Sequence, residues 1–157
     1  MARRPGPAGD TTATTVDVEL DGQIDREIDR EVCKLAHRFT QRLDAYVRRA
    51  AEELGLTPTQ VIALRELPDP ITARELAGRM ACEPSNATFV LDRLEQQGLI
   101  ERRPHPTDRR AKRIVLTPAG ERRRAEVMER LDAGSPLAAL SPAQQESLRD
   151  LLRTLVT

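Results

Sequence analysis

The sequence has very few aromatic residues: two phenylalanines, one tyrosine and no tryptophan in 157 residues. Its core must therefore be aliphatic, built from leucine, isoleucine, valine and alanine. Cysteine is also scarce, and Cys33 and Cys82 alone cannot form the disulfide framework of a small secreted domain. No apolar run has the length of a membrane span, and the first residues lack the apolar stretch of a signal peptide. We therefore expect a soluble, cytoplasmic protein.

Signatures of catalysis are missing as well. The sequence contains no glycine-rich phosphate loop and no His-Glu-x-x-His pattern, and its two histidines, His37 and His105, do not suggest a catalytic pair. We expect a protein that is not an enzyme and that holds neither a cofactor nor a metal ion.

The charges sum to zero, but they are distributed unevenly along the chain. Residues 10–31 contain eight acidic and two basic residues, whereas residues 101–124 contain nine basic and three acidic residues. Like charges repel, so folding alone does not explain why six arginine or lysine residues and His105 crowd into residues 101–113. A polyphosphate partner explains this concentration of positive charge.

Residues 1–21 and 22–55 are predicted to form a disordered tail and one long helix. The tail is rich in Thr, Gly, Pro and Asp and has no apolar periodicity. From Ile24 to Leu54 the apolar residues recur every three or four positions, as on one face of a helix. Such a helix is longer than a small domain needs, which favours dimerisation; a helical bundle within one chain is the alternative.

Residues 56–117 have the pattern of a winged helix-turn-helix domain. Helix starts are predicted at Thr57-Pro58, at the capping box of Thr72 and Glu75, and at Pro84, and the third helix ends at Gly98. Two short strands, residues 99–103 and 112–116, then enclose a proline-containing loop, the wing. Residues 118–157 are predicted to form two further dimerisation helices, the last with a leucine stripe from 148 to 155. The predicted fold is mainly α (α+β).

The order of these elements resembles the MarR (multiple-antibiotic-resistance regulator) family. The resemblance covers roughly residues 30–155 and is most specific from Leu91 to Thr117. It is carried by Leu56-Thr-Pro-Thr-Gln-Val61, the Thr72 helix, Leu91-Asp-Arg-Leu94 with Gly98-Leu-Ile100, the Asp108-Arg109-Arg110 wing and Leu116-Thr117. It implies a dimeric winged helix-turn-helix protein whose first and last helices interlock with those of a second subunit. It also implies a repressor that a small molecule or an oxidant releases from DNA.

The helix that opens at Pro84 carries the candidates for reading bases. Short polar side chains near the start of a recognition helix can reach base edges in the major groove. Asn86 could bridge N6 and N7 of adenine, and Phe89 could contact a thymine methyl group. The candidates on this helix are Ser85, Asn86, Thr88, Phe89 and Arg93. The alternative for Ser85 and Asn86 is that they only satisfy the amides at the helix start.

The wing carries the candidates for phosphate and minor-groove contacts. Arg109 and Arg110, at the loop tip, are placed to enter the minor groove, where narrow A·T stretches concentrate negative potential. The resemblance favours Arg110 and implies that Asp108 orients an arginine. The side chains suited to phosphates are Arg102, Arg103, Lys112 and Arg113. A solvated, charged hairpin is the alternative.

Cys33 and His37 lie four residues apart on the first predicted helix, so their side chains can meet. Three interpretations fit this pair: simple packing, a thiol sensor whose imidazole activates the thiolate, or half of a metal site that needs further ligands. An effector could also bind between the dimerisation helices and the winged domain. Its candidate contacts are Cys33, His37, Arg38 and Tyr46.

The sequence therefore predicts a homodimeric regulator, acting as a repressor, that binds double-stranded DNA at a pseudo-palindromic operator and responds to a small molecule. Two other classes remain open. One is a thiol- or metal-responsive sensor that uses Cys33 and His37, and the other is a helical protein-interaction module that binds no DNA.

Overall fold

A computed structural model of the chain describes residues 12–108 and 110–156, with side chains from residue 25 onward. The first helix, α1, extends from Thr12 to Leu54. It ends where Gly55 turns the backbone with φ of +61°, a conformation that glycine adopts without strain. The chain divides into two compact units, of which the second begins at Arg42.

The predicted start of the long helix was wrong. Residues 12–21, assigned from sequence to a disordered tail, belong to α1. Adding a residue to an existing helix costs far less than nucleating one, so the strongly periodic segment after Ile24 can extend into polar sequence that would not form a helix alone. Residues 1–11 of the expected tail lie outside the described residues.

The remaining elements follow the predicted order, with one addition. They are α2 (Pro58–Arg65), β1 (Ile71–Thr72), α3 (Ala73–Arg79), α4 (Pro84–Gln96), β2 (Ile100–Pro104), β3 (Lys112–Leu116), α5 (Pro118–Ala133) and α6 (Pro142–Val156). The expected winged helix-turn-helix arrangement, mainly helical with a small antiparallel sheet, is confirmed.

Helix starts lie where the capping residues predict them. At α3, the Glu75 amide donates to Thr72 Oγ1 at 3.2 Å, and the Thr72 amide donates to Glu75 Oε2 at 2.7 Å. The Thr72 amide and the Thr72 hydroxyl, which both donate to this carboxylate, hold the pKa of Glu75 below its ordinary value. Thr57 and Gln60 form the same reciprocal pair at the start of α2. In each pair the two side chains accept from two backbone amides that would otherwise have no hydrogen-bond partner at the helix start.

The sheet has three strands rather than two, in the order β1-β3-β2, and all neighbours are antiparallel. Strand β1 pairs Ile71 with Ile114 and Thr72 with Arg113. The Arg113 guanidinium adds a hydrogen bond of 2.8 Å to the Pro70 carbonyl. A two-residue strand has no periodicity of its own, which is why the sequence did not reveal it.

The core lies in the second unit and is aliphatic, as the scarcity of aromatic residues requires. Leu64, Leu76, Leu91 and Leu94 are completely buried. The C-terminal part of α1 contributes Val47, Ala50 and Ala51 to the same cluster, and α5 contributes Val127 and Leu131. The winged domain is therefore packed around side chains from five helices and the sheet.

Two helices carry apolar side chains that nothing covers in a single chain. On α1, Ile28, Val32 and Leu35 are each more than half exposed. On α6, which has no buried residue, the exposed apolar side chains are Leu151, Leu152, Leu155 and Val156.

Within the described part of the chain, no helix combines the length and apolar character that crossing a membrane requires.

Two glycines give opposite predictions for the same substitution. A Cβ at Gly120 would lie 1.8 Å from the Leu99 carbonyl oxygen, whereas a Cβ at Gly78 meets nothing within 4 Å. Gly120→Ala should destabilise the fold by about 3 kcal/mol because backbone must move. Gly78→Ala should stabilise it by about 0.5–1 kcal/mol because helical alanine loses less entropy than glycine. Urea unfolding of both variants tests this, and equal changes in the free energy of unfolding would contradict the close contact.

Candidate nucleic-acid interface

The orientation of α4 is fixed by its buried face. Ala87, Val90, Leu91 and Leu94 are at most 4% exposed. The opposite face must then point outward, and Ser85, Asn86 and Thr88 are all exposed near the start of the helix. These are the positions that the sequence predicted for reading bases.

The side chains of Ser85 and Asn86 are not used to cap α4. The N-cap residue, Glu83, makes no side-chain cap, and Pro84 at the first helical position has no amide to satisfy. Within the described residues, neither Ser85 nor Asn86 has a side-chain hydrogen bond. The Thr88 hydroxyl donates to the Pro84 carbonyl at 2.9 Å and keeps its lone pairs as acceptors. This geometry favours base reading over helix capping, and the role stays a prediction.

Phe89 and Arg93 form one exposed pair on α4. The guanidinium carbon of Arg93 lies 5.3 Å from the centre of the Phe89 ring, within the range of a cation–π contact. Phe89 is 62% exposed, so its ring contacts the guanidinium and still faces solvent. The pair presents a flat apolar surface and a cation side by side.

Arg102 on β2 is bonded to the recognition helix. Its guanidinium donates to Asp92 at 2.6 Å and also to Glu95, and its side chain is only 21% exposed. These bonds connect the base of the wing to α4, and the expected contact of Arg102 with a phosphate stays a prediction. The sequence carried a signal for this pairing, because Asp92 and Glu95 are three residues apart on one helical face, where one basic side chain can reach both.

The tip of the wing is held by local hydrogen bonds. Asp108 Oδ1 accepts from the Arg110 amide at 2.9 Å, so this carboxylate fixes the backbone of Arg110. The expectation that Asp108 orients an arginine side chain stays a prediction. The side chains of Arg110 and Lys112 are exposed and form no ion pair with another described residue. Arg109 lies outside the described residues.

The two other cations of the wing have partners. The Arg103 guanidinium donates to Glu101 but remains 61% exposed, and Arg113 donates to the Pro70 carbonyl. Arg110 and Lys112 therefore carry positive charge that the described residues do not compensate. Uncompensated cations at the end of a hairpin next to the exposed face of α4 form an electropositive edge.

A half-buried contact that sequence reasoning missed fixes the C-terminal end of α4. Gln60 is only 6% exposed, and its Nε2 donates to Gln97 Oε1 at 3.0 Å. Its Oε1 accepts from the Thr57 amide at 2.9 Å. One glutamine thus caps α2 and also connects α2 to the end of α4.

The four effector candidates are divided between the two units. Cys33, His37 and Arg38 are exposed in the first unit, and the His37 ring bonds to Gln41 Nε2 at 3.1 Å rather than to Cys33. Tyr46 belongs to the second unit, where its hydroxyl donates to the Leu131 carbonyl and burial raises the pKa of the phenol. Among the described residues, no group of three potential metal ligands is found.

Tyr46 lines a concavity of about 300 Å³ within the second unit. Arg42 and Arg49 of α1 also line it, together with Gly134 and Pro136 of the loop after α5. An aromatic residue and two arginines that line one concavity suit a small organic anion.

Comparison with known proteins adds independent evidence. The family model described as the MarR family matches residues 56–112. The repressor MdtR of Bacillus subtilis is 34% identical over 90 residues, which cover 56% of this chain and 58% of MdtR. This chain thus spans little more than half the length of that relative.

Solved structures share the fold over most of their length. A probable transcriptional regulator from Pseudomonas aeruginosa is 30% identical, with 82% of this chain and 99% of that chain covered and a TM-score of 0.66. CouR from Rhodococcus jostii RHA1, bound to p-coumaroyl-CoA, is 28% identical, with 77% and 88% covered and a TM-score of 0.70. The CouR repressor bound to a 23-mer DNA duplex, at 23% identity, shows the fold alone, with 83% and 96% covered and a TM-score of 0.70.

The matching segment includes all of α2, α3, α4 and β2, the elements that place the exposed polar face beside the wing. The chain belongs to the MarR family of transcriptional regulators.

Proposed function

We propose that the protein is a homodimeric transcriptional repressor that binds a pseudo-palindromic operator in the cytoplasm and is not an enzyme. The single observation that carries this proposal is the outward face of α4, whose polar side chains have no structural task, next to a wing with uncompensated cations. A helix of this kind fits the major groove, and the wing then lies over the flanking minor groove.

The contacts divide into two kinds. Ser85, Asn86 and Thr88 read base edges, and Phe89 contacts a thymine methyl group beside Arg93. Arg110, with Arg109, enters the minor groove, while Lys112 and the exposed Arg103 bind phosphates. The first group supplies sequence information, and the phosphate contacts supply affinity and its dependence on salt.

Dimerisation is supported by the uncovered apolar faces. The leucines of α6 and the stripe from Ile28 to Leu35 on α1 are exposed apolar surface. Exposing them to water is unfavourable for a monomer, and a second subunit would bury them. A two-fold dimer places two copies of α4 about 34 Å apart, one turn of duplex. Such a dimer requires an operator with two inverted half-sites.

A small-molecule response is supported by the concavity beside Tyr46. CouR, a structural relative, was solved with p-coumaroyl-CoA. In this chain a volume of about 300 Å³ suits a smaller ligand, such as an aromatic carboxylate between Arg42 and Arg49. A ligand that binds more tightly to a dimer whose two α4 helices do not match the spacing of the operator shifts the population toward that dimer and releases the DNA.

Selection of bound duplexes from random DNA tests the binding and its symmetry together. Inverted half-sites separated by one helical turn are the expected result. Recovery of no enriched sequence at low salt would refute the proposal.

Arg110→Ala should lower affinity for the selected duplex about tenfold or more, because it removes a contact of ~1–3 kcal/mol. It should also make the dependence of log affinity on log salt less steep. Arg48→Ala, which removes the same charge from an exposed position on α1, is the matched control and should bind normally. Fluorescence anisotropy across a salt series measures both quantities, and equal affinities for the two variants would remove the wing from the interface.

Leu155→Glu should raise the dimer dissociation constant at least about tenfold, because burial of one leucine contributes about 1.5–3 kcal/mol. Arg149→Glu introduces the same side chain on the same helix outside the leucine stripe and should leave the dimer intact. Sedimentation equilibrium over a concentration series measures the constant. A wild-type monomer at micromolar concentration would contradict the proposed dimer.

Benzoate, cinnamate and p-coumarate are suitable probes of the concavity. A probe that releases the selected duplex from the wild-type protein should fail with Arg42→Ala and with Arg49→Ala, and should still act on Arg48→Ala, whose side chain does not line the site. Release that is unchanged in the first two variants would place the ligand elsewhere.

A further inference from the structure

His105 begins the turn at the tip of the wing. It follows Pro104, the last residue of β2, and precedes Pro106. The ring of Pro104 fixes its own φ, and a residue before proline is confined to extended conformations, which restricts His105. The half-buried imidazole therefore belongs to a segment with little freedom.

The imidazole Nδ1 faces three possible donors from the turn. The Asp108 amide lies 3.2 Å from Nδ1, the Thr107 amide 3.4 Å, and the Thr107 hydroxyl 3.3 Å. An amide N–H can only donate, so Nδ1 must be the unprotonated nitrogen. The ring is then neutral, with its proton on Nε2.

These bonds lead directly to the arginine of the wing. The Asp108 backbone that the imidazole holds carries the carboxylate that accepts from the Arg110 amide at 2.9 Å. The Asp108 carbonyl also accepts from the Ala111 amide at 3.1 Å, and the His105 amide closes the turn on the Ala111 carbonyl at 3.2 Å. The backbone of Arg110 is thus two hydrogen bonds away from the imidazole.

We propose that His105 is a positioning residue for DNA binding: its unprotonated Nδ1 holds the wing turn in the shape that presents Arg110, and protonation of that nitrogen releases the turn. This inference rests on the proposed contact of the wing with DNA. When Nδ1 carries a proton, an N–H faces two other N–H groups, so neither amide bond can form. The Thr107 hydroxyl can reverse its role and accept from the ring, but this contact does not hold the Asp108 backbone.

The charges around the ring come from α3 and from the wing itself. The Glu75 carboxylate at the start of α3 interacts electrostatically with His105. Along the hairpin, the charged neighbours are Arg103, Asp108, Arg110 and Lys112. Among these groups, none replaces the acceptor that Nδ1 supplies to the two amides.

A direct contact between the imidazolium and a phosphate makes the opposite prediction. An added positive charge strengthens DNA binding as the pH falls. Loss of the Nδ1 acceptor weakens binding over the same range. The sign of the pH effect therefore separates a positioning residue from a phosphate ligand.

His105→Asn and His105→Ala form the decisive pair. The asparagine Oδ1 sits at nearly the same distance from the backbone as Nδ1, and asparagine forms this kind of turn without titrating. At about pH 8, His105→Ala should lower affinity for the selected duplex about fivefold, the equivalent of one hydrogen bond, and His105→Asn should bind within about twofold of wild type. Equal losses in the two variants, or no loss in either, would overturn the proposal.

The same duplex should then be titrated from about pH 7.5 to about pH 5.5, where histidine side chains change charge. The affinity of wild type relative to His105→Asn should fall about fivefold as the pH decreases, the equivalent of one hydrogen bond. A ratio that rises or stays constant would contradict the acceptor role.

Nuclear magnetic resonance of the free protein tests the geometry without DNA. The ring nitrogen shifts of His105, assigned by their absence in His105→Asn, should be those of the Nε2–H tautomer at about pH 8. The Thr107 and Asp108 amides should exchange with solvent faster in His105→Ala than in His105→Asn. This result together with no DNA binding would refute the proposed function but not the turn, whereas an Nδ1–H tautomer would refute the turn whatever the DNA result.

Discussion

Burial of one face of α4 is the constraint on which the interface depends. With Ala87, Val90, Leu91 and Leu94 packed in the core, the helix cannot rotate about its axis without exposing aliphatic surface. Its C-terminal part is fixed as well, by the Gln60–Gln97 bond and by the ion pairs of Arg102 with Asp92 and Glu95. The polar residues that remain outside are thereby held in one orientation relative to the wing, which is what recognition of a rigid duplex requires.

The zero net charge is consistent with an electropositive edge because several arginines outside the tip of the wing are paired with carboxylates. Arg102 and Arg103 pair with carboxylates in the wing and α4, and Arg130 pairs with Glu53 between α5 and α1. These pairs are mostly exposed, so each contributes little to the free energy of unfolding. Their larger effect within the wing is to pair Arg102 and Arg103 near its base, whereas Arg110 and Lys112 toward its tip have no ion-pair partner among the described residues.

The sequence predicted what local chemistry determines and missed what depends on contacts between distant segments. Thr72 with Glu75 marked a helix start correctly, and the spacing of Leu91 and Leu94 identified a buried face, because both signals lie within a few residues. The pairing of Ile71 with Ile114 and the bond from Arg102 to Asp92 depend on tertiary structure, which brings those residues together. The turn around His105 is local, but the acceptor role of a histidine depends on a ring orientation that no sequence pattern specifies.

The close approach at Gly120 has a mechanical consequence. The first turn of α5 touches the backbone of Leu99 with no side chain between them, and the Thr117 amide and hydroxyl bond to the carbonyls of Leu99 and Gly98 at 3.0 and 2.7 Å. Backbone packed directly on backbone cannot absorb a displacement by changing rotamers. Any tilt of α5 therefore also displaces Gly98 and Leu99, the residues that connect the end of α4 to the start of β2.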